Sequence, residues 1–123
     1  METIWQSRIS VASKACPGVE FVIARITFGR RLELMKQVRD LAARLEYFDA
    51  GREEKNRIEA SLLGAQLDRM YIEWGLEEVR GLEIDGEPAT PRSLVDRGPE
   101  ELFREALVAV KAECGLSDEQ RKN

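Results

Sequence analysis

The apolar positions change period along the chain. Between Val19 and Phe28 they run nearly unbroken and are rich in β-branched and aromatic types, which predicts a strand. Before it, Ile4, Trp5, Ile9 and Val11 predict a loose strand or extended arm within residues 3–15. Pro17-Gly18 is a turn signal between the two, so an N-terminal β-hairpin is expected. From there the spacing lengthens. Leu32, Met35, Val38, Leu41, Ala42, Leu45 and Phe48 recur at steps of three and four, which predicts a helix over roughly 29–49 with Thr27 as its cap. Gly51 is expected to close it as a C-terminal cap.

Ile58, Leu62, Ala65, Leu67, Met70, Tyr71 and Trp74 predict a second helix over roughly 52–74, ended by Gly75. Only a few polar residues separate the two helices, so an antiparallel αα-hairpin should form. Residues 76–90 are expected to be a connector, with a short strand around Leu82-Glu83-Ile84 and a tight turn at Asp85-Gly86. Thr90-Pro91 marks a helix start, predicting a short helix over roughly 91–96 that ends near Gly98. Pro99-Glu100-Glu101 opens a final helix, with its acids at the favourable end of the dipole. Its inner face is expected to be Leu102, Phe103, Ala106, Leu107, Val110 and Cys114, and Gly115 should stop it. A frayed polar tail is expected over 117–123. The predicted fold is α+β and mostly α-helical: an N-terminal β-hairpin packed on an αα-hairpin, plus a C-terminal helix. At 123 residues one domain is expected.

Composition adds mainly exclusions. Hydrophobic residues make up 43% of the chain and charged residues 34%, which suits a folded, well-solvated protein. The net charge is −4, split into +2 over residues 1–62 and −6 over 63–123. No general positive field favours nucleic acid. There is no histidine, which removes the commonest general base and metal ligand. The two cysteines, Cys16 and Cys114, are too few for a zinc site and are expected to be free thiols. No run is long and apolar enough for a membrane span, and Met1–Gln6 has no leader-like pattern. A soluble cytoplasmic protein without metal, cofactor or catalytic residues is therefore expected.

Several clusters admit two readings. Arg25, Arg30, Arg31, Lys36, Arg39 and Arg44 could form a phosphate-binding stripe. Glu33, Asp40 and Glu46 interrupt it and no aromatic platform accompanies it, which favours a solvated or ion-paired face. Arg30 and Arg31 sit near a helix N-terminus, where cations are mildly unfavourable, so a docking role is also open. Glu77, Glu78, Glu83, Asp85 and Glu87 make an acidic connector without the spacing of a calcium loop. Met70, Tyr71 and Trp74 cluster at one helix end, as either a core anchor or an adaptable hydrophobic docking surface.

Residues Trp74-Gly75-Leu76, Val79 to Thr90 with its Asp85-Gly86-Glu87-Pro88 turn, Leu94, Gly98-Pro99-Glu100-Glu101-Leu102 and the closing Arg121-Lys122-Asn123 together resemble the tail assembly chaperones of long-tailed phages and prophages. Phe28-Gly29-Arg30-Arg31-Leu32-Glu33-Leu34 fits small prophage proteins of the same kind. The likeness covers roughly residues 19–123, rests on short non-catalytic motifs, and does not extend to the arm before Cys16. It implies an assembly factor in the cytoplasm of a bacterial host. Such a factor would bind the tape-measure protein, keep it soluble and help recruit tail-tube protein. Partner-binding residues would then be Met70, Tyr71, Trp74 and Leu76, with Arg30 and Arg31. Neither nucleic acid nor membrane is expected as a partner, and a homo-oligomer is left open. The rival readings are a structural tail or head–tail component, and a small prophage regulator or inhibitor acting on a host protein.

Overall fold

The computed structural model describes residues 1–115; the tail expected over 117–123 lies outside the described residues. The N-terminal hairpin is present. Strands β1 (Arg8–Ala12) and β2 (Glu20–Ala24) pair antiparallel, with Ile9 opposite Ile23 and Val11 opposite Phe21. Residues 1–6 form no strand, so the expected arm contributes only its middle, Arg8–Ala12, to the sheet.

Helix α1 (Phe28–Asp49) follows, and the Thr27 hydroxyl accepts the Arg30 N–H as its cap. It turns back into α2 (Glu54–Gly75), giving two antiparallel rods each about 33 Å long. Gly51 is not the expected cap. Ala50 closes α1 in right-handed geometry, and its N–H reaches the Glu46 carbonyl.

The connector expectation is corrected in one respect. The chain passes from α2 straight into a third strand, β3 (Leu76–Arg80), which pairs antiparallel with β2 and completes a sheet of order β1-β2-β3. Phe21 faces Val79 and Ile23 faces Leu76, and the register shifts at the Val22–Ile23 step, where Glu77 of β3 is the extra residue. Gly75 ends α2 for a packing reason. A Cβ there would meet Val110 Cγ1 at 2.6 Å, so only glycine lets α2 approach the last helix this closely.

The Asp85-Gly86 turn joins β4 (Glu83–Ile84) to β5 (Glu87–Pro88), both turn residues having positive φ (54° and 82°), as a two-residue hairpin requires. Helix α3 (Pro91–Arg97) carries a full capping box, Thr90 with Ser93, and stops at Gly98. Helix α4 (Glu100–Glu113) closes the core.

That core lies between the inner face of the sheet and the helices. Phe21, Ile23, Leu76 and Val79 meet Ile72 and Trp74 from α2, Leu94 from α3, Leu34 from α1, and Leu102, Ala106, Leu107 and Val110 from α4. The other sheet face is polar: Ser10 donates to Glu20, Arg80 pairs with Glu78, and Arg8 reaches Glu77 and Glu78. Burial is very uneven. No residue between Leu34 and Ala60 is fully buried, so the far half of the αα-hairpin is a two-helix finger without a third layer. Among the described residues no helix is long and apolar enough to cross a membrane.

Candidate functional site

The end of α2 is interior. Trp74 is 6% exposed and Leu76 3%, both within the core, while Met70 and Tyr71 are half-buried. The expected docking edge is therefore corrected: of the two readings, core anchor is the one the packing supports. The cause is the strand that follows, because β3 pulls Trp74 and Leu76 under the sheet and against α4. The indole nitrogen of Trp74 is buried with no hydrogen-bond partner among the described residues.

Arg30 belongs to this anchor. Its guanidinium lies 4.5 Å from the Trp74 ring centroid, donates to the Trp74 carbonyl, and pairs with Glu33 at 3.2 Å. A cation at the start of α1 thus satisfies a carbonyl at the end of α2, which accounts for its otherwise unfavourable position. Arg31 is exposed.

A second polar link holds α2 to α4. Lys111 is 7% exposed, and its ammonium donates to Asp68 at 3.0 Å while sitting over the Tyr71 ring. Asp68 also accepts from Arg104. A third link ties the β1–β2 loop to α4. The Glu105 carboxylate accepts from the Ser13 hydroxyl and from the Lys14 and Ala15 N–H groups. The Ser13 hydroxyl, then those backbone donors and the Lys14 charge, hold its carboxyl below the usual range.

Both cysteines are free thiols and half-buried. Burial and the neighbouring Glu113 push the Cys114 thiol up to about 11, against the pull of Arg30 and Arg31. Within the acidic connector, Glu78 pairs with Arg80, and Asp85 pairs with Arg97. No group of three or more metal-ligating side chains gathers among the described residues.

Two patches of exposed apolar surface lie on the helices. The first is a groove of about 560 Å³ between α2 and the α3–α4 corner. Leu62, Ala65, Leu94, Val95 and Phe103 supply its apolar lining, and Asp68, Arg69, Glu100 and Arg104 stand around it. Leu62 is 52% exposed. The second is the outer face of α1, where Leu32, Met35, Ala42 and Ala43 lie among Lys36, Arg39 and Glu46.

Both surfaces carry a sequence signal that a single apolar count hides. At 100° per residue, Ala60, Leu63, Leu67, Met70 and Trp74 share one side of α2, whereas Ile58, Leu62 and Ala65 share the opposite side. Likewise Leu34, Val38, Leu41, Leu45 and Phe48 face inward on α1, whereas Phe28, Leu32 and Met35 do not. A helix with two apolar faces has more than its own core to cover. No protein-family model, curated protein or solved structure matches the chain.

Proposed function

We propose that this chain is a tail-assembly chaperone that acts by binding. It docks an amphipathic helix of a tape-measure protein, and so keeps that protein from aggregating while tail-tube subunits are recruited. The observation that carries this reading is the apolar groove between α2 and the α3–α4 corner. It has two walls, an exposed leucine on one and a half-buried phenylalanine on the other, with charges of both signs at its margin. This is the form that helix-in-groove recognition takes: apolar anchors enter the floor and polar flanks pair at the rim. A long helical partner with bare apolar stripes is an aggregation hazard that such a groove would cover. The motif likeness in residues 74–102 supplies the partner's class. The role needs no catalytic step, cofactor or metal, and belongs to the host cytoplasm before the particle is complete.

Co-expression with a tape-measure fragment, followed by pull-down, tests the reading. Leu62→Glu and Ala65→Glu put a carboxylate into the groove at exposed positions, so the fold should survive. Each should weaken capture by about tenfold or more, the cost of burying an unpaired charge. Undiminished capture by both folded variants would overturn the reading. So would recovery of the protein as a stoichiometric component of purified particles, which would make it a structural part of the tail.

A further inference from the structure

The outer face of α1 is independent of the groove and shares no residue with it. Phe28 is 82% exposed, Leu32 45% and Met35 58%, and all three lie on one side of the helix with Arg39, Ala43 and Glu46. α1 packs chiefly against α2, and among the described residues no other element makes comparable contact with it. A two-helix finger buries one seam only, and helices in folded proteins draw most of their stability from packing.

The charges on this face are arranged for a copy of itself. Helix α1 has no acid in its first turn and no base in its last, the reverse of what its own dipole favours. Along the outer face the cations Lys36 and Arg39 come first and the anion Glu46 last. Arg39 pairs with Asp40, whereas neither Lys36 nor Glu46 has an ion pair within the described residues. These two lie equally far on either side of Leu41. A second α1 running antiparallel and crossing at that level would therefore set Lys36 opposite Glu46 of the second copy, twice over. Arg39 would meet Ala43 of the second copy. Ala42 and Ala43 leave room near the crossing for the helices to approach closely. A two-fold axis demands such self-complementarity, because each contact must recur with the roles exchanged.

We propose that the protein forms an antiparallel dimer through the outer faces of α1, converting two thin hairpins into a four-helix bundle. The packing is that of an antiparallel bundle, in which each hairpin supplies the layer the other lacks.

Sedimentation of the full-length protein over about 1–500 µM tests this, in a range where charge-complementary interfaces are read easily. The wild type should show a reversible monomer–dimer equilibrium. Lys36→Glu and Glu46→Lys should each weaken the dimer by about tenfold, since each creates two like-charge contacts. The double variant exchanges the signs and should return to within about threefold of wild type. Met35→Glu should weaken the dimer without any such rescue. A monomer throughout the range, or a dimer indifferent to Lys36→Glu and Met35→Glu, would overturn the proposal. So would a double variant weaker than either single one. Leu62→Glu should leave the dimer intact, so failure here and failure of the groove reading are distinct results.

Discussion

Replacing Trp74 by alanine should destabilise the fold, because the side chain is a core residue and not a partner contact. The side chain is 6% exposed and packed among Ile72, Leu76 and the α4 face. Truncating a buried tryptophan costs about 3–5 kcal/mol in transfer and cavity terms. The Arg30 guanidinium over its ring adds about 0.5–2 kcal/mol that the variant also loses. Against this stands the indole N–H, buried without an acceptor, whose removal returns about 1–3 kcal/mol. The net loss is about 3–4 kcal/mol, against roughly 6–18 kcal/mol for a chain of 123 residues. With a urea slope of about 1.5–2 kcal/mol per molar, the midpoint should fall by about 2 M. Trp74→Phe is the matching control. It keeps an aromatic face for Arg30 and deletes the orphaned donor, so it should stay within about 1.5 kcal/mol of wild type. Urea titration followed by far-UV circular dichroism reads both. A Trp74→Ala protein that keeps its midpoint but no longer captures a partner would refute the assignment of Trp74 to the core.

Three further outcomes follow from the polar links and the thiol. Asp68→Ala strands the Lys111 ammonium and should cost about 3 kcal/mol, whereas Lys111→Met leaves Asp68 paired with Arg104 and should cost under about 1 kcal/mol; chemical denaturation giving the reverse order would exclude this account. Glu105→Gln should lose about 1 kcal/mol near neutral pH. Because the folded carboxyl titrates below its unfolded value, its contribution is complete above the ordinary carboxylate range and fades as pH falls through the depressed folded value. The gap between wild type and Glu105→Gln in paired urea melts should therefore close on acidification below about pH 4, and a gap that widens would reverse the sign assigned here. Cys114, held near 11, should be alkylated slowly at pH 8 in the native protein and rapidly in urea; equal rates would mean that the thiol is not buried.

The two long helices were legible because apolar spacing persists over about five turns, long enough for a face to declare itself. The Asp85-Gly86 hairpin and the Thr90 cap were legible for a different reason: each is a local rule satisfied within a few residues. Strand β3 was not. Leu76-Glu77-Glu78-Val79-Arg80 alternates weakly, begins on the residue after a helix, and is a strand only because β2, far back in the chain, offers it an edge. Missing that pairing also misplaces the candidate site. Once β3 is in the sheet, Trp74 and Leu76 must lie beneath it, and the docking surface has to be sought on sides of α1 and α2 that the same pattern counted as core. The two-faced distribution of leucines was present in the sequence, but it becomes informative only when the seam between the helices is known.

The two uncovered surfaces have a joint consequence. Dimerisation through α1 uses the side of the hairpin turned away from α2, so it leaves each groove free on α2 and the α3–α4 corner. A dimer then carries two equivalent grooves on one rigid body. A long helical partner with repeated apolar stripes presents repeated sites, and the second groove engages at an effective concentration set by the first. Avidity of this kind exceeds a single groove's affinity by about 10²–10⁴ when both can be reached. Lys36→Glu, which leaves the groove untouched, should therefore weaken capture of a long tape-measure fragment far more than capture of a single-site peptide. Equal effects on the two ligands would separate the dimer from the binding function, and isothermal titration of both against wild type and Lys36→Glu decides between these outcomes.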